Sequence, residues 1–398
     1  MIQATHTGKF GRYLVATLLA LTMFNCKQAA AASASTSATI KFAGLHVQMG
    51  ADGSIGHLVN GSNQIVQLHG ADHAGSEWTC LYSASLNSNT SQTSINAMKA
   101  WNINAVRIPL NEDCWLGING VIFGGAKYQA ALKAYVNLLT ANGMAVILDL
   151  HWAAPGSELA NGQLGMADQT HALTFWSQVA TAYLSHGASD TSGNSMVIFD
   201  LFNEPFITNW SCWLNGGTCA AGYNGASYAA AGMKQLYAAV RATGARNVVI
   251  LGGIGYSGNF AQWVTDVKQI PNGFNIAASW HVYSNNATYN NFQYSCPNQW
   301  NSYGGKCPTA AQTAATAVIP SVLAAGYPFV VGETEVSYEG YPALLTWWQS
   351  MLTWMDDQDQ SYLAWDWNTV APPLLITNFD GAPTASGRMY EDHIASLR

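Results

Sequence analysis

The chain has 398 residues, a formal net charge of −7, only 9% charged residues and 15 tryptophans. That length fits two or three average domains or one large α/β barrel, and charged residues usually make up about a quarter of a globular chain. Charge this sparse argues against extensive ion-pair networks holding the fold together, and against nucleic acid, which requires a basic stripe that is absent; a surface of amides, hydroxyls and rings suits neutral, hydroxyl-rich ligands.

Lys9 and Arg12 precede an apolar stretch, Tyr13 to Phe24, too short to span a bilayer, and the small residues Ala29 to Ala34 follow. Residues 1–32 therefore read as a secretory signal peptide and residues 33–44 as a short tether. An uncleaved anchor and lipid attachment at Cys26 are the alternatives. Setting Cys26 aside from seven cysteines leaves an even number in an exported chain, which favours disulfides over metal binding because no C-x-x-C pair exists. Proximity in sequence pairs Cys80 with Cys114, Cys212 with Cys219 and Cys296 with Cys307.

Asn60-Gly61 between apolar stretches predicts an N-terminal hairpin over Leu58–Leu68. Apolar runs then predict strands near Val66–Ala71, Ala105–Ile108, Ala145–Asp149, Val197–Leu201, Val248–Leu251, Ile276–Trp280, Phe329–Val331 and Leu363–Trp365. Helical spacing occupies the intervals. Leu132, Tyr135, Val136 and Leu139 mark a helix over Tyr128–Ala141 with Gly143 as its cap. Leu173, Trp176, Val179, Ala180 and Tyr183 mark another over Thr170–Leu184. Eight such repeats predict one α/β domain over 45–398, a (β/α)8 TIM barrel with disulfide-stapled βα loops; an open doubly wound sheet is the competing architecture.

The barrel is favoured because nearly every run ends in a chemically competent group. The fourth ends in Asn203-Glu204-Pro205 and the seventh in Phe329-Val-Val-Gly-Glu333. Two carboxylates at the carboxyl ends of barrel strands suit acid/base and nucleophile roles at a glycosidic bond. An exposed Glu is more often solvated surface, but Glu204 follows an apolar run, where burial raises a carboxyl towards the pKa a general acid needs. Asn203 is placed to bond a sugar hydroxyl. Gly332 leaves room for a ligand beside Glu333, whereas Glu335 is expected beyond the rim. Arg107 lies inside an apolar run and must be paired, with Glu333 as the carboxylate and Tyr283 as a second donor to it.

His151 and His281 end the third and sixth strands and read as substrate contacts, although a lone histidine is commonly a core residue. A zinc site of Asp149, His151 and His281 is the weaker reading, since no paired H-x-H or H-E-x-x-H motif exists. Trp365 ends the eighth strand. Trp78, Trp115, Trp152, Trp210, Trp213 and Trp300 fall in predicted loops, where flat rings stack on pyranose faces; Trp176, Trp347 and Trp354 on helices read as core. Gly253-Ile-Gly-Tyr-Ser-Gly258 matches a dinucleotide fingerprint but lacks the acidic residue about 20 positions later. It reads as the fifth barrel loop.

In these residues the chain resembles glycoside hydrolase family 5, the cellulase family of the retaining (β/α)8 clan, from about Leu68 to the end. The family's strand-two Arg falls on Arg107, its strand-three His on His151 and its Asn-Glu-Pro on Asn203, Glu204 and Pro205. Its H-x-Y falls on His281 and Tyr283, its nucleophile on Glu333 and its strand-eight Trp on Trp365. The first strand departs from the pattern: Asp72 stands where many relatives have Asn, an extra charge expected near the subsite that holds the reacting sugar. The chain is expected to be a secreted monomer without cofactor. Its expected activity is retaining hydrolysis of a β-linked polysaccharide, with endo-β-1,4-glucanase ahead of mannanase or exo-acting alternatives. A non-catalytic carbohydrate-binding barrel would lack one carboxylate, and metal-dependent hydrolysis would respond to a chelator.

Overall fold

The computed structural model describes residues 41–51, 53–87, 89–221, 226–283, 309–336, 342–370 and 372–397. The leader, Cys26, Cys296, Cys307 and Trp300 lie outside the described residues. No helix among the described residues is long and apolar enough to cross a membrane.

The chain opens with β1 (His46–Gln48) and β2 (His57–Val59), paired antiparallel with His46 opposite Val59. The hairpin expected over Leu58–Leu68 is thus built with an upstream partner. Asn60 does close a turn, its Oδ1 accepting from the N–H groups of Ser62 and Gln64 at 3.0 and 3.1 Å. The arm that returns from it makes only the Val59–Ile65 bridge before turning into the barrel. Phe42, near the end of the presumed tether, is buried with Leu45, Leu58 and Val66 against the barrel's lower core.

The barrel strands are β3 (His69–Asp72), β4 (Ala105–Asn111), β5 (Ala145–Trp152), β6 (Val197–Asp200), β9 (Val249–Gly252), β10 (Ile276–Tyr283), β11 (Phe329–Glu335) and β12 (Ser361–Ala364). They close in the order β10-β11-β12-β3-β4-β5-β6-β9, every pairing parallel. This is the (β/α)8 barrel. Several strands run further than their apolar stretches, because main-chain pairing continues through polar ends such as Asn111, Tyr283 and Glu335.

Period-two alternation sorts each strand between two cores. Val106, Ile108, Val146 and Leu148 face the surrounding helices, whereas Ala105, Ala145, Ile147, Ile198, Ile250, Ala277, Val330 and Leu363 fill the lower interior. Two residues further along the same inward rows stand Arg107, Asp149, Asp200 and Ser279. An apolar floor therefore carries a polar upper layer.

The helices follow the predicted spacing. Ala126–Ala141 buries Leu132, Tyr135, Val136 and Leu139, and Gly143, at φ 78°, closes its end with a bond from Met144 N to Leu139 O of 3.1 Å. Ala172–Ala182 buries Trp176, whose Nε1 donates to Leu201 O at 2.8 Å.

Disulfides join Cys80 to Cys114 and Cys212 to Cys219. The latter ties the helix Trp210–Asn215 to a small antiparallel hairpin, β7 (Gly216–Ala221) and β8 (Ser227–Ala231). That hairpin has no sequence signature: Gly and Ala carry neither strand propensity nor alternation.

Candidate active site

Arg107, fully buried on β4, is the hub of the upper layer. Its Nη1 donates to Glu333 Oε1 at 2.7 Å and to Asp72 Oδ1 at 2.9 Å. Its Nη2 donates to Asn203 Oδ1 at 2.8 Å and lies 3.0 Å from Asp149 Oδ2, while Nε donates to Asp200 Oδ2 at 3.2 Å. One cation thus faces four acids. Burial pushes the carboxyl of Asp72 well above the ordinary carboxylate range and that of Asp200 up to about 7, although Arg107 pulls both down. Asp72, expected to add charge beside the substrate, instead turns onto Arg107 and is sealed from solvent.

Glu333 behaves oppositely. Burial works against its charge, but His281, Arg107 and His151 outweigh it and hold the carboxyl at about 2. Tyr283 donates its hydroxyl to Glu333 Oε2 at 2.7 Å. The neighbouring Glu335 is fully buried, not beyond the rim as expected. Gly332 has a purpose other than ligand access: a Cβ there would fall 2.7 Å from His281 Nε2, so the glycine makes room for the imidazole.

Glu204 follows β6 with a left-handed backbone, φ 41°, and its side chain is 14% exposed. Such strain in a non-glycine residue concentrates at functional sites. His281 Nδ1 donates to Glu204 Oε1 at 3.0 Å and lies 3.5 Å from Glu333 Oε2, bridging the two acids. Burial lowers the pKa of His281, but Glu333 and Glu204 raise it further. One oxygen of each glutamate and a ring nitrogen of His281 all lie within 4.8 Å of one another. Among the described residues, these three are grouped closely enough to hold a metal ion. The zinc trio of Asp149, His151 and His281 is not assembled, because Asp149 binds Arg107 and His151 while His281 faces the glutamates.

His151 Nδ1 contacts Asp149 Oδ2 at 2.6 Å. Burial opposes its charge, yet Asp149, Glu77 and Glu333 raise its pKa to about 9. Its Nε2 lies 3.3 Å from Asn203 Nδ2, a hydrogen bond only for the neutral ring, so the cation leaves this contact weak. Trp365 stacks over His151 with centroids 5.8 Å apart and planes at 19°. Trp78 and Trp152, both half-buried, lie 6.4 Å apart beside them. Trp115, Trp210 and Trp213 are buried and belong to the core, contrary to the expectation of sugar stacking. Their indoles have internal work; Trp213 Nε1, for instance, donates to Gly252 O at 2.8 Å.

Asp200, Gln163 and Glu77 are missing from the expectation, and Asp149 appears there only in the zinc reading. Asp149 and Asp200 complete the shell of Arg107. Gln163 Nε2 approaches Glu204 Oε2 at 3.4 Å, and Glu77, pushed by burial up to about 7, sits near His151. The two aspartates were detectable: each lies inside an apolar run, the same signal that marks Arg107. Gln163 and Glu77 come from irregular segments without such a signal.

Chemically, the arrangement offers an ionised carboxylate and a second carboxyl across a gap of sugar-bond size, with flat rings alongside. A β-glucanase of Saccharophagus degradans, solved in complex with cellotetraose, has a TM-score of 0.60 at 16% identity, covering 90% of this chain and 95% of its own. A hyperthermophilic endocellulase of Pyrococcus horikoshii has a TM-score of 0.63 at 16% identity over 88% and 99%. An endo-β-1,4-glucanase of Xanthomonas axonopodis pv. citri, carrying a triple mutation, has a TM-score of 0.57 at 17% identity over 83% and 100%. At such identities these likenesses speak to the fold. The model of the cellulase family, glycosyl hydrolase family 5, matches residues 59–370. A match across most of the chain, with a barrel that gathers Arg107, Asn203, Glu204, His281 and Glu333 at one mouth, shows that this protein belongs to glycoside hydrolase family 5.

Proposed function

We propose that this glycoside hydrolase is a secreted, monomeric, retaining endo-β-1,4-glucanase. The observation that carries the retaining reading is the approach of Glu204 and Glu333 oxygens to within 4.8 Å. Carboxyls about 5–5.5 Å apart belong to double displacement, and about 6.5–9.5 Å to inversion.

Glu333, ionised and fixed by Arg107 and Tyr283, attacks the anomeric carbon while Glu204 gives its proton to the departing glycosidic oxygen. A covalent glycosyl ester forms and the aglycone leaves as an alcohol. Glu204, now a carboxylate, takes a proton from water, whose oxygen displaces Glu333 and restores the original configuration. His281 bonds Glu204 and helps keep Glu333 ionised. Asn203, held by Arg107, is placed to bond the sugar hydroxyl beside the reacting carbon, and Trp365, Trp152 and Trp78 offer apolar faces to successive rings.

The glucan assignment draws support from the solved neighbours, described as β-glucanase and endocellulase. Secretion draws support from the two disulfides, bonds that persist in oxidising compartments. Mannanase and exo-acting readings share the same catalytic pair. The test is NMR of fresh products from β-glucan, mannan and xyloglucan: β-anomer from β-glucan is the expected result. Initial α-anomer would refute retention, and mannan preference would refute the substrate.

A further inference from the structure

We infer that Gln163 is a positioning residue for the acid Glu204, and that the stapled hairpin β7–β8 is the brace that holds it in place. The inference rests on the acid/base reading of Glu204 above.

The two oxygens of Glu204 take their donors from different elements. His281 on β10 serves Oε1 at 3.0 Å, and Gln163, from the segment between β5 and the helix Ala172–Ala182, serves Oε2 at 3.4 Å. The terminal torsion of a glutamate is broad, so a carboxyl held at one oxygen can swing through a wide arc. A second donor on the other oxygen fixes the plane, and with it the direction in which the proton is delivered. An amide suits this duty. A lysine at the same place would favour the carboxylate and oppose the protonated form that the first step needs, whereas a neutral donor orients the group at a smaller cost.

Gln163 lies in an irregular segment, so its position depends on what pins the chain on either side. Upstream, Ala160 is fully buried; its N–H donates to Asp113 Oδ2 at 2.8 Å and its carbonyl accepts from Asn111 Nδ2 at 2.7 Å. Downstream, Met166 is fully buried; its N–H donates to Tyr228 Oη at 3.0 Å, and the same hydroxyl donates to Met166 O. Tyr228 stands on β8, and the residues after Met166 run along that strand. Gln169 N donates to Ala229 O at 2.7 Å, Ala231 N donates to Ala167 O at 2.8 Å, and Asp168 bridges Ala230 antiparallel. The hairpin thus grips the segment that carries Gln163.

Gly and Ala give this hairpin little strand propensity of its own, so it draws on the Cys212–Cys219 link and on those bonds. Cys212 sits in the helix Trp210–Asn215, shortly after Glu204 in the chain. A closed circuit results. The chain leaves Glu204, forms the stapled hairpin, and the hairpin returns Gln163 to Glu204.

Leaving groups separate help from the acid from everything else, because a dinitrophenolate departs without a proton and a phenolate needs one. Values of kcat/KM for wild type, Gln163→Met, Gln163→Leu and Tyr228→Phe on phenyl and dinitrophenyl β-cellobioside test the proposal. Methionine keeps the length of glutamine without its donor, and leucine repeats the test if the methionine variant folds poorly. The ratio of the phenyl to the dinitrophenyl value should fall about tenfold in both Gln163 variants, the worth of a hydrogen bond to a charged group. In Tyr228→Phe, where only the brace is loosened, it should fall about threefold. A loss shared equally by the two substrates would mark a merely structural role and overturn the proposal, as would an unchanged ratio in the Gln163 variants. The wild-type ratio in Tyr228→Phe would overturn the brace. Glu204→Ala is the reference, and an unchanged ratio there would overturn the acid/base reading instead.

Discussion

Arg107 Nη1 lies 2.7 Å from Glu333 Oε1, with the guanidinium fully buried and the carboxylate side chain 6% exposed. The contact joins stability to chemistry, since the same cation neutralises the aspartates beneath. Arg107→Lys loses the planar fork that reaches several acceptors at once. The expected cost is about 3–5 kcal/mol in urea unfolding, typical of breaking a buried pair.

The same variant should change the pH profile. Glu333 is held at about 2, below its ordinary value of 4.5, so its charge contributes stability above pH 4.5 that is lost as pH falls towards 2. Weakening the cation raises the Glu333 pKa, and the acid limb of kcat/KM must move to higher pH. An unmoved limb in Arg107→Lys would assign the depression to another group.

Azide distinguishes the two glutamates. Glu333→Ala should lose turnover by orders of magnitude, and azide entering the vacated space should yield the α-glycosyl azide. Glu204→Ala should lose roughly 10²–10⁴-fold on substrates with poor leaving groups. With an activated aryl glycoside it should instead yield the β-azide. Swapped products would exchange the roles.

Reduction should destabilise the fold through the longer disulfide loop. Chain-entropy reasoning gives about 4 kcal/mol for the 34-residue Cys80–Cys114 separation and about 2 kcal/mol for the 7-residue Cys212–Cys219 one. Thermal melts of Cys80→Ala/Cys114→Ala and Cys212→Ala/Cys219→Ala should rank accordingly. The reverse order would show that native-state effects dominate.

At the opposite end of the barrel, Asp356 Oδ2 contacts His393 Nε2 at 2.8 Å, and Oδ1 accepts from Tyr362 Oη and Gln67 Nε2, each at 3.1 Å. Burial raises its pKa, but His393 and His69 lower it more, so the folded value is depressed. The stabilisation is present above the unfolded carboxyl pKa and is lost as pH falls through the folded one. Asp356→Asn should therefore flatten the acid dependence of unfolding free energy. An unchanged slope between pH 5 and the acid transition would refute that coupling.

Fold and site were legible to different depths. Ala105–Ile108, Ala145–Asp149 and Ile276–Trp280 announced buried strands because continuous apolar runs have few other uses, and the polar residues ending them marked a common mouth. The β7–β8 hairpin stayed silent, being built from Gly and Ala. Trp115, Trp210 and Trp213 misled for a related reason: an indole in a predicted loop looks the same in sequence whether it meets solvent or core.

Sequence alone determined the barrel, by the recurrence of apolar runs with helical spacing, and pointed to Glu204 and Glu333 as the candidate acids, by their place at run ends. Both are local patterns, readable wherever a side chain's surroundings follow from its near neighbours. The direction of each pKa shift, the conversion of Asp72 from substrate-side charge to buried partner of Arg107, and the distance between Glu204 and Glu333 were decided only in three dimensions. Those quantities depend on which distant strands face one another across the barrel and on how thoroughly water is excluded between them.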